Sequence, residues 1–157
     1  MKILVTGAKG FIGKNLIAEL KNQNYADILE YDIDTYPSLL ESFCKEADFV
    51  FHLAGVNRPK NQSEFMEGNF GFTSILLDTL KKHNNTCPVM ISSSIQAALD
   101  NPYGKSKKAG EDLLFTYAKE TCWYIDSPIC SANGADQTIT AQLPHSATIL
   151  LMIYLLP

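Results

Sequence analysis

Three glycines spaced three apart, Gly7, Gly10 and Gly13, stand between an apolar run and a segment of helical periodicity. Residues 2–5 read as a short buried strand, and residues 11–20 read as a helix with Ile12, Leu16 and Leu20 on one face. A strand that turns into a helix through glycines points free backbone N–H groups and the positive end of the helix dipole at one place, which suits an anion such as a pyrophosphate. Gly7 permits the tight turn, Gly10 lets the backbone approach a ligand, and Gly13 lets the helix pack close to its strand. Phe11 and Ile12 lie inside that turn and join the glycines as candidate cofactor contacts.

The alternation continues along the chain. Strands are expected at residues 28–31, 48–53 and 88–91, and helices at 38–44, 63–83 and 102–119. The long helix carries Phe72, Ile75, Leu76, Thr79 and Leu80 at helical spacing, and the last helix turns Leu113, Leu114 and Tyr117 inward. Repeated strand–helix units predict an α/β fold, a Rossmann-type doubly wound parallel sheet. At 157 residues the chain holds one domain with a sizeable core. A net charge of −4 without a basic block argues against nucleic acid or an anionic membrane as partner. Cys44, Cys87, Cys122 and Cys130 lack metal-ligand spacing and read as free thiols, and no metal site is expected. The N-terminal apolar run is too short for a signal peptide, so a cytoplasmic protein is expected.

Asp32 follows the second strand, 25 positions after Gly7. A carboxylate there accepts hydrogen bonds from adenosine ribose hydroxyls and favours NAD, and the segment Asp32-Ile33-Asp34 holds no cation for a 2′-phosphate. Leu53, Ala54 and Gly55 end the third strand, where small residues leave room for a cofactor. His52, with no acid beside it in sequence, reads as a packed structural residue. The chemical centre is Ser92-Ser93-Ser94 followed by Tyr103 and Lys107. Tyr103 and Lys107 are four apart and share a helix face. An adjacent ammonium favours the phenolate and moves a tyrosine, with an ordinary pKa of about 10, toward working pH. Lys107 can also hold the nicotinamide ribose, and a serine at the preceding strand end, Ser94, can steady the substrate oxygen as its charge changes.

These motifs resemble the extended short-chain dehydrogenases of the NAD-dependent epimerase/dehydratase group. Asp48–Gly55 is similar to their D-x-V-x-H-L-A-[AG] segment, and Asn69–Leu77 to their N-x-x-G-T-x-x-L-L segment. A narrower resemblance, in residues 52–59, 92–97 and 100–107, is to the reductase domains of capsular polysaccharide synthesis that are fused to a cupin domain. It implies reduction of a UDP-4-keto-6-deoxy-N-acetylhexosamine, NADPH as cofactor, and a homodimer for the intact family. It also implies that Ser94, Tyr103 and Lys107 are catalytic with support from Asn69, and that Val56, Asn57 and Arg58 lie near cofactor or sugar nucleotide. The same triad serves an epimerase or dehydratase, and a non-catalytic NAD(P)-binding fragment is the third reading.

The resemblance covers residues 1–121 and stops there. Residues 122–157 hold no Lys or Arg and only two acids, Asp126 and Asp136. The apolar stretch 149–156 is far shorter than the ~20 residues of a membrane-spanning helix. Residues 127–146 are polar and lack a period, and a polar loop before a buried strand is one reading of them. Back-translation in the frame starting at the third base of each codon permits an apolar strand and an R-x-x-N-x-x-G pattern of the same family. The expectation is therefore a partial Rossmann domain, incomplete at its C-terminal side, followed by a tail read out of frame and an unstable product with an open sheet edge. Nucleotide sequencing around codons 115–125 is expected to reveal the displaced frame, and an uninterrupted frame encoding the present tail overturns this.

Overall fold

The computed structural model describes residues 1–121, 140–143 and 147–150. Four strands, β1 (Ile3–Thr6), β2 (Ile28–Tyr31), β3 (Phe49–His52) and β4 (Val89–Ile91), form one parallel sheet in the order β2-β1-β3-β4. Helices α1 (Phe11–Asn22) and α2 (Pro37–Glu46) join the first three strands. From β3 to β4 the chain runs through α3 (Ser63–Phe65), a π-helical turn (Met66–Gly71) and α4 (Phe72–Lys82). After β4 come a 3₁₀ turn (Ile95–Ala98) and the long helix α5 (Pro102–Glu120).

Strand alternation divides the core in two. Ile3, Val5, Phe49 and Phe51 face α1, where Leu16, Ile17 and Leu20 cover them. Leu4 and Val50 face the other way, onto Leu40 and Cys44 of α2, Leu76, Leu77 and Leu80 of α4, and Tyr117 of α5. Burial on both faces is why these strands read as continuous apolar runs. The strand order reverses between β1 and β3, and a ligand crevice opens at the carboxyl ends of strands at such a switch point. Both the glycine turn and the Leu53–Gly55 segment emerge there.

The expected α/β sheet is present, with two shifts of helix phase. On α1, Gly13 and Ile17 are buried beside Leu16 and Leu20, while Ile12 is half-buried. On α4 the buried stripe is Thr73, Leu76, Leu77 and Leu80, and Ile75, expected inward, is 56% exposed. Thr73 is drawn inward by hydrogen bonds to His52 and to the Asn69 carbonyl, which turns Ile75 out. The sheet ends at β4, whose outer edge pairs with no strand among the described residues. Cys44 and Cys87 are free and buried, and burial pushes both thiols up to about 12. Cys122 and Cys130 lie outside the described residues.

Beyond residue 121, β5 (Thr140–Leu143), in the segment without a period, and β6 (Ala147–Leu150), which follows it, form a separate antiparallel pair. The rest of 122–157 lies outside the described residues. Among the described residues no helix is long and apolar enough to cross a membrane.

The α4 stripe makes a direct test. Leu80 is fully buried, so Leu80→Ala is expected to destabilise the protein by about 2–5 kcal/mol in urea denaturation. Ile75→Ala is expected to stay within about 0.5 kcal/mol. A comparable loss in both variants would place Ile75 on the apolar stripe, where the sequence alone put it beside Leu80.

Candidate active site

The glycine turn is fixed by contacts that exclude a side chain. Gly7 has a φ of +71°, and a Cβ there would lie 2.7 Å from the Ala54 nitrogen. A Cβ on Gly13 would lie 2.2 Å from the Gly7 carbonyl oxygen. Gly10, extended, begins α1 without a side-chain cap. No side chain caps the first-turn N–H groups of α1, the donors an anion site uses. Phe11 stands 85% exposed at its rim.

Asp32, at the end of β2, accepts from the backbone N–H of Lys9 (2.7 Å) and of Ile33 (2.8 Å). The Lys9 ammonium pairs with Asp34. That pairing holds the Asp34 carboxyl below its ordinary range and the Lys9 ammonium above its own. The segment 32–34 itself holds no cation beside Asp32. The fold supplies one from the glycine turn, 23 positions earlier.

Beyond β3, the Leu53 N–H donates to the Thr6 carbonyl at 3.1 Å and extends the strand contact into the crevice. Gly55 follows two residues on, and a Cβ there would sit 2.7 Å from Asn69 Oδ1 and 2.9 Å from Lys107 Nζ. A glycine at this point lets both side chains reach one place.

Asn69 lies buried in the π-helical turn, a widened geometry that recurs at functional sites. Its Oδ1 accepts from the Val56 N–H (2.8 Å), and its Nδ2 donates to the Val56 carbonyl and to Ser106 Oγ (both 2.9 Å). Ser106 Oγ in turn donates to the Tyr103 carbonyl at 2.7 Å. On the other side, the Thr73 hydroxyl donates to the Asn69 carbonyl (2.5 Å). Thr73 Oγ1 then accepts from His52 Nε2 (2.8 Å), leaving Nδ1 to accept from the Thr6 hydroxyl (2.7 Å). The network thus assigns the Nε2–H tautomer. Burial, and secondarily the Lys107 charge, hold the His52 imidazole down to about 3, so it is neutral. This agrees with its reading as a structural residue.

Helix α5 presents Tyr103 and Lys107. Asn101 caps it, its side chain accepting from the Gly104 N–H at 2.7 Å, and Pro102 opens it. Gly104 lets the helix meet the 3₁₀ turn, since a Cβ would lie 2.0 Å from the Gln96 carbonyl. Lys107 is only 9% exposed. Its ammonium donates to the Ser92 carbonyl at 3.3 Å and lies 5.9 Å from the centre of the Tyr103 ring. Burial pulls its pKa below the ordinary lysine range, against an opposing pull from Glu111. The other side of the Tyr103 environment holds Phe65, with ring centres 5.5 Å apart. Ser94 caps the 3₁₀ turn by accepting from the Gln96 N–H at 3.3 Å, which leaves its own hydroxyl proton free to donate.

The fold therefore brings Gly55, Asn69, Tyr103 and Lys107 together, with Ser94 at the adjoining strand end. Val56 is pinned by Asn69, while Asn57 and Arg58 are exposed beyond it. Sequence reasoning missed Ser106 and Thr73, which hold Asn69, and Lys9, which flanks Asp32. Ser106 and Thr73 each carry a detectable spacing, three after Tyr103 and four after Asn69.

The profile of the NAD dependent epimerase/dehydratase family matches residues 3–137. The match runs past Thr121, where the resemblance read from individual motifs stops. A UDP-2-acetamido-2,6-beta-L-arabino-hexul-4-ose reductase of Pseudomonas aeruginosa is 41% identical over 114 residues, 73% of this chain and 31% of that protein. The crystal structure of capsular polysaccharide assembling protein CapF from Staphylococcus aureus is 48% identical with a TM-score of 0.66, covering 77% of this chain and 33% of that one. MoeE5 in complex with UDP-glucose and NAD is 26% identical with a TM-score of 0.65, covering 75% of this chain and 49% of that one. An ADP-L-glycero-D-manno-heptose-6-epimerase of P. aeruginosa is 29% identical over 133 residues, 79% of this chain and 36% of that protein. The chain thus spans about a third of the length of these curated relatives.

The buried imidazole makes stability depend on pH. Its pKa lies near 3 folded and near 6.5 unfolded, so the unfolded chain takes up the extra proton between those values. The stability His52 contributes is complete above pH 6.5 and falls by about 1.4 kcal/mol for each pH unit below it. Imidazole NMR shifts of His52 are expected to stay at their neutral Nε2–H values down to pH 4. A midpoint above pH 6 would break the tautomer assignment.

Proposed function

The chain belongs to the NAD-dependent epimerase/dehydratase family, and we propose that residues 1–121 supply the dinucleotide site and the acid–base group of a sugar-nucleotide oxidoreductase or epimerase. One observation carries this reading. The buried Lys107 ammonium meets Asn69 over Gly55, beside the Tyr103 ring, and the Gly7–Ala54 contact joins that point to the glycine cradle.

The turn fits a dinucleotide, because the missing Cβ atoms of Gly7 and Gly13 let β1, α1 and the chain after β3 close tightly together while no side chain caps the α1 N-terminus. Gly7, Gly10, Phe11, Ile12 and Gly13 hold the pyrophosphate end, Asp32 the adenosine ribose, and Leu53, Ala54 and Gly55 the bridge between the two halves. A nicotinamide bound there supplies or takes up the hydride. Lys107 sets its positive charge 5.9 Å from the centre of the Tyr103 ring. Tyr103 exchanges a proton with the sugar oxygen, and the free hydroxyl proton of Ser94 steadies that oxygen. Asn69 holds the Val56 backbone and Ser106, and so the distance between crevice floor and α5. Val56, Asn57 and Arg58 receive the UDP-sugar.

The epimerase or dehydratase use of this triad is supported by the breadth of the family match and by the heptose epimerase relatives. Reduction of a UDP-4-keto-6-deoxy-N-acetylhexosamine at C4 is supported by the reductase relative. For the cofactor, NAD is supported by NAD-bound relatives such as MoeE5, and NADP by the Lys9 ammonium at the ribose end. On this reading Lys9 releases Asp34 to meet a 2′-phosphate.

Titration with NADH and NADPH, followed by incubation with UDP-sugars, separates the readings. Net NADPH oxidation with a UDP-4-keto sugar marks a reductase. Turnover with no net change in the cofactor marks an epimerase or dehydratase. Binding without turnover leaves a cofactor-binding fragment and overturns the catalytic reading. Tyr103→Phe is expected to lower turnover about 10²–10⁴-fold while leaving cofactor affinity unchanged. Lys9→Ala is expected to weaken NADPH more than NADH.

A further inference from the structure

Lys107 is buried, yet it has no ion pair at contact distance among the described residues. A buried cation without a counter-charge is costly. Glu111 lies one turn along the same face of α5, at the i+4 position. Its Oε1 accepts from the Ser93 hydroxyl at 2.5 Å, and its Oε2 lies 3.6 Å from the Lys108 ammonium. The Glu111 side chain is 24% exposed, so its charge is only partly screened. The strand end is thereby held to α5 at three successive residues. Ser92 accepts from Lys107, Ser93 donates to Glu111, and Ser94 caps the turn that packs on Gly104.

We propose that Glu111 is a positioning residue of the site: its carboxylate is the counter-charge that keeps Lys107 an ammonium, and its bond to Ser93 sets the strand end that carries Ser94. This rests on the reading of Tyr103 and Lys107 given above.

The charges around Lys107 fit this role. Glu111 works against the effect of burial on Lys107. From β3, His52 faces it as a neutral ring. From its own helix, Tyr103 and Lys108 are the other titratable neighbours, and Lys108 also pairs with Asp112 at 2.8 Å. The 3₁₀ turn and β4 carry no titratable side chain. On α3, Glu64 bonds to Asn61, and Glu67 of the π-helical turn is exposed. On α4, Asp78 bonds to Ser74, while Lys81 pairs with Glu120 and Lys82 with Glu41. Glu111 is left as the carboxylate that acts on Lys107.

The test reads Lys107 directly, without turnover. In the full chain labelled with ¹³C-lysine, the Lys107 Cε resonance is followed against pH. Glu111→Gln keeps an acceptor for Ser93 and removes the charge, so the Lys107 midpoint is expected to fall by about one pH unit. Ser93→Ala removes the hydrogen bond and keeps the charge, so the midpoint is expected to hold. An unchanged midpoint in Glu111→Gln, or an equal fall in both variants, overturns the proposal. Failure to bind NADPH or NADH would defeat the function proposed above and leave these midpoints readable.

Discussion

The carboxamide of Asn69 is the interaction on which the site's geometry depends. One acceptor and two donor bonds reach both backbone groups of Val56 and the hydroxyl of Ser106. The backbone carbonyl of the same residue receives Thr73, which passes the connection through His52 to Thr6 at the end of β1. The glycine turn, the segment after β3, the widened helical turn and α5 are thereby tied through one buried residue. Each such bond contributes only about 1 kcal/mol net, but a buried partner left unsatisfied costs about 1–3 kcal/mol. Loss of Asn69 would orphan both backbone groups of Val56 and take from Ser106 the donor it accepts from, so the network acts as a unit.

Close approach is the steric counterpart of that network. Asn69 and Lys107 converge only because Gly55 has no side chain, and α5 reaches the 3₁₀ turn only because Gly104 has none. Gly7 does the same between β1 and the chain after β3. These glycines act at contacts between elements distant in sequence, so their steric role becomes visible only in the folded chain.

This sets the boundary of what the sequence reveals. Strand and helix order is legible because apolar periodicity is local. Tyr103 and Lys107 are legible because a helix converts a spacing of four into adjacency. The orientation of α4 is not, because it is set by Thr73 binding His52, a pairing 21 positions apart. Lys9 escapes notice beside Asp32 for the same reason, since a turn 23 positions away supplies it. The polar residues that hold the site, Ser106, Thr73 and Glu111, look like ordinary solvated helix positions until their partners are placed.

The distribution of charge follows from these placements. Two nitrogen bases lie buried within reach of one another's field, the His52 imidazole and the Lys107 amine. The cost of burial falls on whichever carries charge. His52 has both ring nitrogens committed to hydroxyls in a chain that works only with the neutral ring, and it starts from a pKa four units below lysine. The positive charge therefore belongs to Lys107, where it stands next to Tyr103 instead of between Thr6 of β1 and Thr73 of α4. A charged His52 would disrupt the Thr6–His52–Thr73 chain and repel the lysine. Keeping His52 neutral is thus the condition under which the buried positive charge stays at Lys107, beside the Tyr103 ring.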